Sequence, residues 1–264
     1  MIQLLNRRMF LGAASGEEAG ESNYLTFEAI ESGTFKFSRN AISYSMDGGK
    51  TWANLPANTA TPTVAAGQKI CFKASGLTVS TTYGIGTFSA TADFNASGNI
   101  MSMQDGDNFG GSLTINNTYQ FRRLFYENAH LIRADGLALP ATTLKTSCYR
   151  EMFASCSALI TAPPVLPATT LASSCYYYMF YVCPSLVTAP VLPAPTLVDS
   201  CYYAMFYDTK VNYVKCLATS IGAYNCLYVW LYSVPSSGTF VKASGVSWPT
   251  GYNGIPSGWT VQNA

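Results

Sequence analysis

The sequence predicts a mainly β protein with short helical turns. A small N-terminal β-sandwich comes first, then a leucine-rich-repeat-like solenoid of about five coils, then a C-terminal cap. Three observations point there. Residues 24–98 consist of short alternating or aromatic runs punctuated by Gly, Asn, Asp and Pro, the pattern of a small sandwich. From about residue 113 the chain repeats, with Cys148, Cys175 and Cys201 spaced 27 and then 26 residues apart. A period in the twenties marks units that cannot close a core alone and must stack on their neighbours.

The elements follow in chain order. Residues 1–22 carry Leu4, Leu5, Arg7, Arg8, Met9 and Phe10 before Glu17 and Glu18. The apolar run after the arginines is too short for a good signal peptide. This segment is expected to attach or assemble, lying against a partner chain or folding back on its own domain. Residues 23–98 form the expected sandwich, with strands in "YLTFEAI", "GTFKFS", "AISYSMD", "TWANL", "KICFKAS" and "YGIGTFSA". Residues 99–232 form the repeat region. Phe125, Phe153, Phe180 and Phe206 keep the period, as do Pro140, Pro167 and Pro193. The "LITAP" and "LVTAP" segments read as strands. The "SCYxxMF" segments read as helical turns, with Ser147, Ser174 and Ser200 placed as caps. Residues 233–264 read as the cap, with Trp248 and Trp259 covering the last apolar face.

Composition narrows the function. The chain has 264 residues, of which only 11% are charged, and a net charge of +1. Nothing draws it toward nucleic acid or an anionic membrane. No apolar stretch approaches the length of a membrane span. With so few charges and 18 tyrosines, the surface must be built largely from Ser, Thr, Asn, Gly and Tyr.

The pattern MFxxCxxLxxAPxLPATTLxxxCYxxMF resembles the BspA-like leucine-rich repeats of gut Bacteroidetes and their phages. The ending "GTFVKASGVSWPTGYNGIPSGWTVQNA" and the stretch "YLTFEAIESGTFKFSRNAISYSMDGGKTW" are similar to parts of such chains. Two departures stand out: Asn128, and the pair Asp208–Thr209, replace the second recurring cysteine. The resemblance implies recognition rather than catalysis. Members look like bacterial surface adhesins or structural and fibre proteins of phages, and an opening of the type "LLNRRMF" resembles phage virion proteins.

The residues offer four candidate chemistries. "SMDGGKTW" resembles an Asp box, a hairpin in which Asp47 bonds turn amides, Gly49 allows the turn and Trp52 packs, with Ser45 and Thr51 completing the motif. A glycosidase needs two carboxylates at a set separation, or a Tyr nucleophile with an arginine cluster, so the box reads as a structural turn. The eight cysteines recur at the repeat period instead of at zinc-ligand spacing. They read as small buried core residues, and no metal or cofactor is expected. The single histidine, His130, would have to serve any Ser-His or Cys-His machinery. No catalytic residue is assigned.

The fourth candidate is a binding surface. With Cys, Met and Phe pointing inward, the second and third residues after each cysteine point out. This pattern exposes Arg150 and Glu151, Tyr177 and Tyr178, Tyr203 and Ala204, and Tyr228 and Val229. The sequence therefore suggests a tyrosine stripe made of Tyr177, Tyr178, Tyr203 and Tyr228, with Arg150 at its end. The leading expectation is a non-enzymatic virion protein whose first residues contact other virion proteins and whose repeats meet a host-surface glycan or protein. By analogy with fibres it is expected to be a homo-oligomer, with a trimer favoured. The alternative is an exported bacterial cell-surface adhesin. A carbohydrate-active enzyme built on the Asp box is the remaining alternative.

Overall fold

The computed structural model describes residues 24–264. The assembly residues named above, Leu4, Leu5, Arg7, Arg8, Met9 and Phe10, lie outside the described residues. The first part of the chain folds around a phenylalanine core. Strands β1 (Leu25–Ala29), β3 (Ile42–Ser45), β4 (Ala53–Leu55), β5 (Lys69–Lys73), β7 (Phe94–Asn99) and β8 (Leu131–Ala138) make one sheet in the order β4-β3-β5-β1-β7-β8. All its pairings are antiparallel except β7 with β8, which is parallel. A separate two-stranded ribbon pairs β2 (Phe35–Phe37) with β6 (Phe88–Ala90). Alternation along β2 puts Phe35 and Phe37 inside and Lys36 outside. Between ribbon and sheet sit Phe27, Phe35, Phe72, Phe88 and Phe94, all buried, with Phe27 within 5.2 Å of the other four ring centroids.

The architecture corrects the expected one. A free-standing sandwich followed by a leucine-rich-repeat-like solenoid with helical turns is not found. The principal sheet is a mixed six-stranded one, and its last strand, β8, comes from the repeat region. The only helical segments among the described residues are Ser102–Asp105 and the 3-10 turn Gly106–Asn108, both ahead of the repeats. From 139 to 212 no strand or helix forms, so "LITAP" and "LVTAP" are not strands. Proline explains much of this. Pro163, Pro164, Pro167, Pro190, Pro193 and Pro195 remove the amide donors a ladder needs, and only isolated parallel bridges remain, such as Arg133 with Thr161 and Val165 with Val191. Parallel pairing resumes at the end, where β9 (Tyr213–Cys216), β10 (Gly238–Lys242) and β11 (Trp259–Asn263) form a three-stranded sheet.

The segments expected to be helical are chains of tight turns. In 147–156, alternate amides do different work. Cys148, Arg150, Met152, Ala154 and Cys156 each donate to the carbonyl three residues back. Ser147, Tyr149, Glu151, Phe153 and Ser155 donate to carbonyls of the next segment, at Ser173, Cys175, Tyr177, Met179 and Tyr181. This alternation requires a left-handed residue every fourth position: Ser147, Glu151 and Ser155, then Ser174, Tyr178 and Val182, then Ser200, Ala204 and Asp208. Such spacing is incompatible with a helix. The serines expected as caps are instead these left-handed corners.

Stacked in this way, like residues lie over like. Phe125, Phe153, Phe180 and Phe206 are nearly parallel at centroid spacings of 5.3, 5.3 and 5.6 Å. Tyr149, Tyr176 and Tyr202 form a second buried column at 5.7 and 5.9 Å, continuing from Phe121. Both columns end at buried Trp230, which stacks on Trp248. The N-terminal part closes the other end: Ile85 and Phe88 amides donate to the carbonyls of Gln120 and Leu124, and Phe88 packs on Phe125.

Candidate functional site: a tyrosine and arginine face

The turn chains fix which side chains reach solvent. At the corners Glu151, Tyr178, Ala204 and Val229 the residue before is half-buried at the surface and the following pair is buried. Tyr177, Tyr203 and Tyr228 are half-buried and stacked, at 4.5 and 4.8 Å. Arg150 lies over the open face of Tyr177 at 4.2 Å. Tyr178 is half-buried beside them, 4.3 Å from Tyr177. Burial and the hydrogen bond with Tyr178 hold the Tyr177 hydroxyl well above its usual range.

The structure departs from the expected stripe in two ways. Glu151, Ala204 and Val229, expected outside, are buried. They occupy left-handed corners, and at the same corner of the next segment only the larger Tyr178 stays half-buried. Conversely, a second row was missed: Tyr181, Tyr207 and Tyr232, stacked at 5.0 and 5.3 Å. Its signal was in the sequence, because each sits six residues after a recurring cysteine. Tyr178 joins this row through Tyr181 at 4.4 Å, and Tyr252 closes both rows edge-on against Tyr228 and Tyr232. Within each row ring faces meet ring faces, so the surface presents ring edges and hydroxyls.

At its N-terminal end the face becomes basic. Glu151 receives hydrogen bonds from Arg122 at 3.2 Å, from Arg150 at 2.8 Å and from Arg123. Burial pushes the Glu151 carboxyl up, but the bonds from Arg150 and Arg123 and the charge of Arg122 outweigh it and leave it below its ordinary value. Arg123 also lies over Tyr126 at 4.7 Å and Tyr83 at 5.7 Å, and Arg39 approaches the same Tyr83 ring at 5.3 Å.

The other candidates are placed as follows. Asp47 accepts from Thr51 Oγ1 at 2.6 Å, Ser45 Oγ at 2.7 Å, the Thr51 amide at 2.9 Å and the Lys50 amide at 3.1 Å. The Thr51 bonds foremost hold its carboxyl far below the usual range. Ser45 Oγ accepts from the Gly49 amide, and Trp52 Nε1 donates to the Gly49 carbonyl at 3.0 Å. Lys73 lies 4.2 Å over the Trp52 ring and bonds Asp107, which Tyr24 also contacts. His130 Nδ1 pairs with Asp93 at 2.9 Å on a half-exposed edge. Among the described residues no three His, Cys, Asp or Glu side chains gather in a metal-holding group. No helix of these residues is long and apolar enough to cross a membrane.

The recurring cysteines are buried thiols. Burial pushes the Cys148 and Cys183 thiols up to about 12. One column of them has a further role. Cys156 Sγ donates to the Phe125 carbonyl at 2.9 Å and Cys183 Sγ to the Phe153 carbonyl at 3.0 Å. Asn128, at the equivalent place, donates to Phe88 O at 3.1 Å, and Thr209 donates to Phe206 O at 3.0 Å. The two departures from cysteine also supply a donor, Asn128 reaching back as the cysteines do and Thr209 closing on its own segment. Comparison with protein-family models, with curated proteins and with solved structures finds no match to this chain.

Proposed function

We propose that this chain is a non-enzymatic recognition protein of the virion type, whose tyrosine and arginine face meets a glycan or protein on a host surface. One observation carries the reading: the continuous column Arg150–Tyr177–Tyr203–Tyr228–Tyr252, flanked by a second tyrosine row. Rings already locked against one another lose little freedom on binding, and tyrosine combines apolar area with a hydrogen-bonding hydroxyl. The non-enzymatic part is supported by the Asp box, whose one carboxylate is engaged by its own turn. The virion setting rests on the resemblance of the repeats and of the opening residues, which would attach the chain to other virion proteins as part of an oligomer.

The test is binding of the purified chain to gut Bacteroidetes cells. Wild type is expected to bind. The variant Tyr203→Ala/Tyr207→Ala, with its fold checked by circular dichroism, is expected to lose that binding. Equal binding by both proteins would move recognition off this face. Antibody labelling of the chain on uninfected bacteria, and not on particles, would replace the virion setting with the adhesin.

A further inference from the structure

We infer that the face takes an acidic polysaccharide, with its anionic groups on Arg39, Arg123 and Arg150 and its neutral rings along the tyrosine rows. The inference rests on the recognition reading above and names the ligand class. Its ground is a local charge imbalance. The whole chain is nearly balanced, with 15 basic and 14 acidic residues. Around Tyr83 and Tyr177, the carboxylates shown near four arginines (39, 122, 123 and 150) are, among the described residues, Glu151 and, at the rim, Glu127, so positive charge is in excess.

These cations are partly desolvated. The side chains of Arg122, Arg123 and Arg150 are 13%, 23% and 29% exposed. Among the described residues Glu151 is the carboxylate that pairs with all three, and Arg122 also donates to the Thr81 carbonyl. Partly buried guanidinium groups that share one carboxylate favour an incoming anion, which they meet with forked donor geometry. Carboxylate and sulfate both suit that geometry.

The tyrosines identify the rest of the ligand. A nucleic acid bound by aromatics needs free ring faces for its bases. Here the ring faces of Tyr177, Tyr203, Tyr207 and Tyr228 are taken by their neighbours and by Arg150. Hydroxyls and edges are what remain, at intervals of 4.5–5.3 Å, and they suit a hydroxyl-rich chain. Asp208 stands beside Tyr181 in the second row, which directs the anionic groups to the arginine end.

The experiment measures retention of the full chain by immobilised polygalacturonate, dextran sulfate, neutral dextran and a single-stranded oligonucleotide. Retention by at least one acid polysaccharide is expected, falling steeply with salt. The first two arms separate carboxylate from sulfate. Arg39→Gln/Arg150→Gln is expected to weaken it by roughly tenfold or more. Arg39→Gln alone, which leaves the Glu151 cluster intact, should weaken it measurably if the double variant fails to fold. Equal retention by neutral dextran, preference for the oligonucleotide, no retention at all, or acid binding untouched by the variants would overturn the inference. Host-cell binding without acid-polymer retention would refute this ligand class and leave the recognition reading standing. Retention without host-cell binding would do the reverse.

Discussion

Three guanidinium groups converge on the Glu151 carboxylate, so neutralising it leaves partly buried positive charges facing one another. Glu151→Gln is expected to lower stability by about 2–3 kcal/mol, read from chemical denaturation. The same pairing sets a pH dependence. The folded-state carboxyl titrates below its unfolded value of about 4.3, so its contribution is complete above that value and is lost as the pH falls below it. The wild-type melting temperature should fall in that acid range, and the Gln variant should fall less. Val182 offers the opposite kind of change. It is a β-branched residue at φ 53°. Val182→Asn should raise stability by roughly 1 kcal/mol, because asparagine tolerates the left-handed region. At this scale the sequence was only partly legible. Tyr177, Tyr203 and Tyr228 followed from counting after each cysteine. Glu151 did not, because it is held inside by Arg122, Arg123 and Arg150, and two of these lie in another segment that the count does not relate to it.

At the scale of the turn segment, stability is divided between ring columns and a thread of side-chain donors. Phe153 sits between Phe125 and Phe180 at 5.3 Å from each. Phe153→Ala should cost about 3–5 kcal/mol, the usual range for a buried phenylalanine. The donor column makes a finer distinction. Cys156→Ser keeps a second donor for the Phe125 carbonyl, whereas Cys156→Val leaves it only the Asn128 amide, at a cost of about 0.5–1.5 kcal/mol. A thermal melt in which serine is worse than valine would remove the hydrogen bond from the account. Buried thiols with raised pKa should also resist iodoacetamide in the folded chain and react once denatured. The sequence placed the cysteines inside through their period. It took Asn128 and Thr209 for losses, because spacing alone shows a missing sulfur and not the donor that stands in its place. Helical turns were expected because CYxxMF has apolar residues at helical spacing, and a chain of four-residue turns shares that spacing.

For the whole molecule, the critical joint is where the first part of the chain meets the first turn segment. Gly84 has φ 58°, and a Cβ there would stand 2.6 Å from the Tyr119 carbonyl and 2.7 Å from that of Arg122. Gly84→Val should destabilise the protein by several kcal/mol through both the clash and the backbone. It should also broaden unfolding, as the two parts cease to melt together. The strands before residue 90 were largely visible in the sequence as alternating aromatic runs. The parallel pairing of β7 with β8 was not, since Phe94–Asn99 contains Gly98 and two asparagines and does not read as a strand.

Alternate amides have one further consequence. The segment at 148–156 accepts hydrogen bonds from the segment before it through the carbonyls of Cys148, Arg150, Met152 and Ala154. The segment at 175–183 offers the same set at Cys175, Tyr177, Met179 and Tyr181. Removing residues 148–174 would therefore bring 121–127 against an equivalent surface, and the shortened chain should fold with its face one ring spacing, 5.3 Å, shorter. The molecule is in this respect a ruler. Its graduations are interchangeable lengths of chain, and the reach of its surface can be set by counting them.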